Sequence, residues 1–522
     1  MTFEEILAEG GVFFARPQDN RTAEIYLDLP ASNIQEASAS LRSAGCRHVA
    51  IFAEDRVAEE SRYYVYYVFE HPQDRRYLLL RTPLSPSQPE FHSLAAEVPA
   101  LNWQEREIQD CFGLEALGHP NPRRVALHDN WPDVHPLLKS FAVDTVLPPF
   151  EGEQHVYRPT LGEGVFQIPV GPVHAGIIEP GHFNFAVAGE PILYLQLRMF
   201  YVHKGVEKRF EQLSLPAAVF LAESVSGDSS FSHATAFCQA VERIAAVEIP
   251  ESARWMRTIL LELERICNHT ADIGAIATDV GFVIANAHAG RLREHLIGVG
   301  EELTGSRLMR GMVCPGGVRR SWDRPQLAGA LDQLSQFAPD FDRLINIIES
   351  SDSTRDRLER TGILHPDKAR DLGIVGVGGR ASGQDLDVRR DHPYAAYGAL
   401  NIAVPVYHEG DVLRRVQVRI DEVRHSLRLI REAATRLEFG NYRAPMPPLP
   451  ADQYALGTVE GWRGEIFYWV RSAPGNRIAR CKVKDPSLNN WPALVEAVQG
   501  NIVPDFPVIN KSFNLSYSGT DR

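Results

Sequence analysis

The sequence predicts an α+β protein: a small N-terminal α/β unit, then a larger helical bundle fringed by small β-sheets. Three observations carry this. Short β-patterned runs and helical runs mix between residues 33 and 112. Apolar residues then recur at helical spacing over six long windows between 217 and 439. Between these regions, the stretch from Asp144 to Pro159 holds Pro148, Pro149 and Pro159 and shows neither period. The expected organisation is a first domain over 1–145, a linker over 146–156 and a second domain over 157–522.

In chain order, residues 33–44 carry a helical pattern, followed by β-like runs at 48–53, 63–69 and 76–82. The alternation Tyr63-Tyr64-Val65-Tyr66-Tyr67-Val68 suits a packed strand. A proline-rich stretch from Pro83 to Pro89 leads to a helix over 101–112. In the second domain, strands are expected at 164–173, 183–189 and 192–198. Helices follow at 217–224, 232–246, 251–277, 285–304, 326–350 and 410–439, with Pro250 marking one helix start. Two late strands are expected, over 457–470 and 477–484.

Composition narrows the function. A chain of 522 residues, 44% hydrophobic and 23% charged, is that of an ordinary folded protein, not a collagenous or disordered one. A net charge of -13 offers no basic footprint for nucleic acid. The six cysteines, Cys46, Cys111, Cys238, Cys267, Cys314 and Cys481, form no C-x-x-C pair, which argues against a zinc or self-contained iron–sulfur site. Cys111, Cys238 and Cys267 read as core residues. The first residues lack the basic-then-apolar pattern of a signal peptide, and no run approaches the ~18 apolar residues of a membrane span. A cytoplasmic location is therefore expected.

Longer motifs then carry a resemblance. The run Trp103-Gln104-Glu105-Arg106-Glu107-Ile108-Gln109-Asp110-Cys111-Phe112-Gly113, followed by Gly118-His119-Pro120-Asn121-Pro122-Arg123-Arg124, resembles the C-type subunit of bacterial NADH–quinone oxidoreductase (complex I). The run Gly171-Pro172-Val173-His174-Ala175-Gly176-Ile177-Ile178-Glu179-Pro180-Gly181-His182-Phe183 resembles the opening of large subunits of energy-converting, membrane-bound [NiFe] hydrogenases. Relatives of those subunits include the formate hydrogenlyase large subunit and the D-type subunit of complex I. Further motifs follow in the same order: His203 to Lys208, Cys314 to Val318, Arg389 to Tyr394, Arg463-Gly464-Glu465 and Lys484-Asp485-Pro486-Ser487. The resemblance spans nearly the whole chain.

What the resemblance implies is sharpened by where the chain departs from it. Such hydrogenases hold nickel and iron with four cysteines, in two C-x-x-C motifs. Here those positions are Ser226, Ser229, Ser516 and Gly519. A hydroxyl is a poor soft-metal ligand and glycine offers no side chain, so no nickel–iron centre is expected. The tyrosine that complex I places beside a quinone falls near Val225. By resemblance, Glu179 matches a proton-relaying carboxylate, a role suited to burial; the alternative is a structural carboxylate hydrogen-bonded near a helix end. Arg463 matches an arginine over the cavity, able to hold an anion or a quinone carbonyl through its planar fork. Asp228 sits between two of the serines, as a charge in place of the metal or as a cap for the following helix. His174, His182 and His233 are candidates for a quinone-binding cavity, and the histidines flanking Glu179 do not have the spacing of a helical metal pair. His203, Lys204, Glu207 and Lys208 read as a partner contact or solvated face.

The expected function is an electron-transfer component of a membrane-associated, complex I-related oxidoreductase, without a nickel–iron centre and with a cavity open to quinone or another acceptor. The alternative is a non-catalytic scaffold. Implied partners are a small iron–sulfur subunit with a [4Fe–4S] cluster and further hydrophilic and membrane subunits. The chain itself is expected to bind no cofactor and to lie peripherally on the cytoplasmic membrane through those partners.

Overall fold

The computed structural model describes residues 2–15, 23–71, 74–152, 155–159, 162–173 and 178–522. Its first unit is a four-stranded sheet in the order Glu24–Asp28, Asp74–Leu84, Arg62–His71, Arg47–Arg56, with the first pair parallel and the others antiparallel. Helices Ile34–Ser43 and Asn102–Phe112 belong to this unit. The Tyr/Val strand is buried on both faces. Val65, Tyr67 and Phe69 join the main core, while Tyr64, Tyr66 and Val68 pack in a second cluster with Leu456, Phe467 and Trp469 of the second unit. A strand buried on both sides reads as continuously apolar, as this one does. Each aromatic ring so buried contributes roughly 1.5–3 kcal/mol.

The second unit is built on the long helix Glu251–Asp279, which packs along Val283–Thr304 and Val412–Arg436. Pro250 sets its start at φ -56, ψ 148. The helix Arg324–Glu349 opens with a capping box between Asp323 and Gln326. Three strands, Val165–Val170, His182–Ala188 and Ile192–Arg198, form one peripheral sheet, and Tyr454–Gly461, Gly464–Ala473 and Arg477–Lys484 form another.

Residues 457–470 are two strands rather than one. The chain reverses at Trp462-Arg463, and Gly464 takes φ 133. A Cβ at Gly376 would lie 1.9 Å from the Arg463 carbonyl, so two glycine-bearing segments meet here backbone to backbone. Helix Phe3–Glu9, strand Glu24–Asp28 and the closing helices Pro486–Ala497, Phe506–Phe513 and Tyr517–Asp521 had no expectation in the periodic reading.

Buried ion pairs join the two units. Glu107 of the first meets Lys482 at 2.8 Å and Arg522 at 2.9 Å, and Glu207 meets Arg480, Lys482 and Arg522 at 2.8, 3.1 and 3.2 Å. The expectation of a partner contact or solvated face holds for His203 and Lys204 only in that both are exposed, and is corrected for Glu207 and Lys208. Glu207 and Lys208 are buried, because three cations of the adjacent segments converge on Glu207.

Candidate functional site

Three separate segments converge on one point: the loop after helix Leu215–Glu223, the Trp462-Arg463 turn, and the chain following Asn514. Ser226 and Ser516, 290 residues apart in sequence, bring their hydroxyl oxygens to 2.9 Å. Ser226 Oγ also lies 3.0 Å from Asp228 Oδ1, and the Gly519 amide donates to Ser516 Oγ at 2.9 Å. With one proton per hydroxyl, the chain amide–hydroxyl–hydroxyl–carboxylate is satisfied in a single direction. Ser229 is buried beside it and opens helix Ser230–Ile244.

Arg463 closes this knot. Its two terminal nitrogens donate to the two carboxylate oxygens of Asp228, each at 2.7 Å. The guanidinium stacks on Trp462, 3.8 Å from the ring centroid, and its Nε donates to the Asn514 carbonyl at 2.5 Å. The Asp228 carbonyl accepts from Trp462 Nε1 at 3.1 Å and Asn268 Nδ2 at 2.9 Å. Partial burial opposes ionisation of Asp228, and the Arg463 guanidinium overcomes it, holding the carboxyl below its usual range.

Asp228 is therefore not the cap of the following helix. Glu264 takes that place from the neighbouring helix, accepting from the Phe231 amide at 2.8 Å, the Ser232 amide at 3.2 Å and the Ser232 hydroxyl. Burial pushes its carboxyl up to about 7 against those hydrogen bonds.

The fourth former ligand position is filled from outside. A Cβ at Gly519 would lie 2.6 Å from Asp485 Cγ. That carboxylate is held by His233 Nε2 at 3.1 Å, and His233 Nδ1 meets the Tyr468 hydroxyl at 2.9 Å. His233 is wholly buried, a fixed link in this triad rather than a cavity wall.

The remaining candidates are dispersed. Glu179 is exposed and accepts from the Ser518 amide at 2.8 Å, at the start of the last helix, where the unpaired amides favour an anion; this is the geometry of the structural carboxylate near a helix end, not of a buried one. His182 meets the Tyr157 hydroxyl at 2.5 Å. His174 lies outside the described residues. Val225 is buried. Periodicity gave no hint of Glu264, Asn268, Trp462 and Asn514. The local signals were the Gly461-Trp462-Arg463-Gly464 turn and the helical spacing of four between Glu264 and Asn268. A cleft of about 950 Å³ between the two units, lined by Arg47, Glu70, Asp391 and His392 among others, lies apart from the serines.

The residues do not fit a nickel–iron centre. Two of the four positions are hydroxyls already bonded to each other, and a third is a glycine whose side-chain space holds a carboxylate. Among the described residues, no three His, Cys, Asp or Glu side chains converge as ligands. All six cysteines are buried, and burial raises each thiol.

Comparisons with known proteins agree on one lineage. Residues 279–455 and 447–522 match the family described as respiratory-chain NADH dehydrogenase, 49 Kd subunit, and residues 27–146 match its 30 Kd counterpart. Formate hydrogenlyase subunit 5 of Escherichia coli (strain K12) is 33% identical over 486 residues, covering 90% of this chain and 84% of that protein. Hydrogenase-4 component G of the same organism is 34% identical over 485 residues, covering 90% and 83%. The NADH-quinone oxidoreductase C/D protein of Phocaeicola vulgatus is 28% identical over 519 residues, covering 95% and 99%. A chain from the structure of the membrane-bound sulfane sulfur reductase (MBS), an archaeal respiratory membrane complex, superposes with a TM-score of 0.65 at 26% identity. It covers 70% of this chain and 100% of that one.

Proposed function

This chain belongs to the family of joined 30 Kd- and 49 Kd-type subunits that includes formate hydrogenlyase subunit 5, and from that premise we propose a metal-free electron-transfer role. It serves in a multisubunit, complex I-related oxidoreductase, where a partner's [4Fe–4S] cluster delivers electrons to an acceptor at the mouth formed by Asp228 and Arg463. Quinone is one such acceptor. The observation that carries this reading is the 2.9 Å contact between Ser226 and Ser516, with Asp485 filling the space beside Gly519. The positions that would hold two metals hold one another instead.

The chain's own residues supply orientation and charge. Trp462, Asn268 and Asn514 fix the loop and the Arg463 fork from behind, and the Asp228 side chain faces outward with 40% of its surface exposed. A planar guanidinium held against an aromatic face is preorganised to stabilise negative charge on a bound group. The six cysteines are scattered along the chain and buried, and the proposed source of electrons is therefore a partner's cluster. Among the described residues no helix is long and apolar enough to cross a membrane, and membrane association is proposed to run through partner subunits.

One observation favours the scaffold reading. Ser226, Ser516, Asp228 and Arg463 satisfy one another and so form a stable closure without any ligand. Turnover of the assembled complex carrying Ser226→Ala, Ser229→Ala and Asp228→Asn decides between the two. A fall of tenfold or more supports the acceptor site, and unchanged turnover of a correctly assembled complex establishes the scaffold.

A further inference from the structure

Arg463 is a buried cation, 6% exposed, and Asp228, whose side chain is 40% exposed on a largely buried loop, covers its two terminal guanidinium nitrogens. The geometry of that pair is the one a planar carboxylate or oxyanion ligand adopts on arginine: two parallel bonds of equal length. The loop carrying Asp228 is flanked by two further cations. Lys204 Nζ donates to the Ser224 carbonyl at 3.2 Å and to the Ser518 hydroxyl, and Arg310 donates to Ser230 Oγ at 3.1 Å and to the Gly227 carbonyl at 3.4 Å. Both side chains belong to exposed residues, and both reach neutral oxygens in these bonds. Around them stand the hydroxyls of Ser226, Ser516 and Ser518. Glu179 and Asp521 are the acidic neighbours on the Lys204 side and Glu223 stands on the Arg310 side; each is engaged with backbone amides, Glu179 with Ser518, Asp521 with Phe200 and Val202, and Glu223 with Gly311.

From this arrangement we infer that the mouth is a binding site for a small anion, a carboxylate or inorganic oxyanion, and that Asp228 occupies it as a built-in competitor. The incoming anion replaces the Asp228 carboxylate on the Arg463 fork, takes the Ser226 hydroxyl as a third donor and gains the field of Lys204 and Arg310. Asp228 then swings outward on its loop, where Gly227 is exposed. The inference rests on the metal-free reading of the site and names the chemical class of ligand for it. A neutral ligand such as a quinone binds beside the Asp228–Arg463 pair without displacing the carboxylate, because displacement leaves both charges uncompensated.

The test is equilibrium binding of sulfate and of acetate to the full-length chain, followed by calorimetry and by tryptophan fluorescence, since Trp462 stacks beneath Arg463. Asp228→Asn removes the competing charge while keeping hydrogen-bonding capacity, and is expected to tighten both anions about tenfold. Adding Arg463→Gln is expected to abolish that gain. Adding Lys204→Gln, a change at an exposed side chain that leaves the fold intact, is expected to weaken binding severalfold. Unchanged anion affinity in Asp228→Asn, or a gain that persists without Arg463, overturns the inference. Because the readout is binding and not turnover or metal content, such a result leaves the electron-transfer reading to be judged by its own experiment.

Discussion

Asp228 and Arg463, 235 residues apart in sequence, meet as a two-bond ion pair at 2.7 and 2.7 Å, directly over the contact between Ser226 and Ser516. The pair joins a loop at one edge of the helical bundle to the turn of a β-hairpin, so its loss affects both supports.

Replacing Arg463 with Gln is expected to cost about 1–3 kcal/mol in denaturant unfolding. This lies below the ~3–5 kcal/mol typical of breaking a fully buried pair, because the orphaned Asp228 is 40% exposed and keeps part of its hydration. A cost near zero shows the pair to be ornamental to the fold.

Restoring cysteines at 226, 229, 516 and 519 is expected not to restore nickel binding. A side chain at 519 meets Asp485 at 2.6 Å, and Asp485 is fixed by the buried His233. Gly519→Ala alone is expected to destabilise by about 1–3 kcal/mol through that overlap. Stoichiometric nickel in the four-cysteine variant contradicts the claim that Asp485 blocks position 519.

Glu264 sets a pH dependence. Its folded pKa, about 7, lies above the ordinary carboxylate value of 4.5, so the folded state binds the extra proton between those limits. Its contribution to stability is therefore fully present below about 4.5 and is lost as pH rises through 7. Glu264→Gln, compared with the parent by denaturant unfolding, is expected to be more favourable at pH 8 than at pH 5, by about 1–3 kcal/mol. A difference independent of pH contradicts the buried-acid account.

Glu207 gathers three buried cations within the second unit, two of which also meet Glu107 of the first. Glu207→Gln leaves Arg480, Lys482 and Arg522 without their shared anion and is expected to cost about 3–5 kcal/mol. Glu294→Gln, at the exposed pair with Arg307, is expected to leave unfolding unchanged. Similar effects at both sites exclude Glu207 as a buried anchor of these cations.

Long periodic segments were legible in the sequence: the helices expected over 251–277 and 285–304 form over Glu251–Asp279 and Val283–Thr304, and the Tyr/Val strand follows from its alternation. The hairpin at Trp462-Arg463 was not, because both of its strands are buried and the two-residue turn lacks the usual Asn-Gly or Asp-Gly signal. Of the site, the serines came from motif resemblance, and Arg463 with them. Their meeting at 2.9 Å, the capping role of Glu264 and the intrusion of Asp485 at Gly519 depend on tertiary packing that no local pattern encodes. For Glu179 the motif left two readings open, a buried relay or a carboxylate bonded near a helix end, and its exposed carboxylate bonded to the last helix has the geometry of the second.

The most direct test of the central claim is the nickel and iron content of the complex purified from its native host with its partners attached. The serine knot predicts iron from partner clusters and no nickel. Nickel stoichiometric with this chain contradicts the metal-free site.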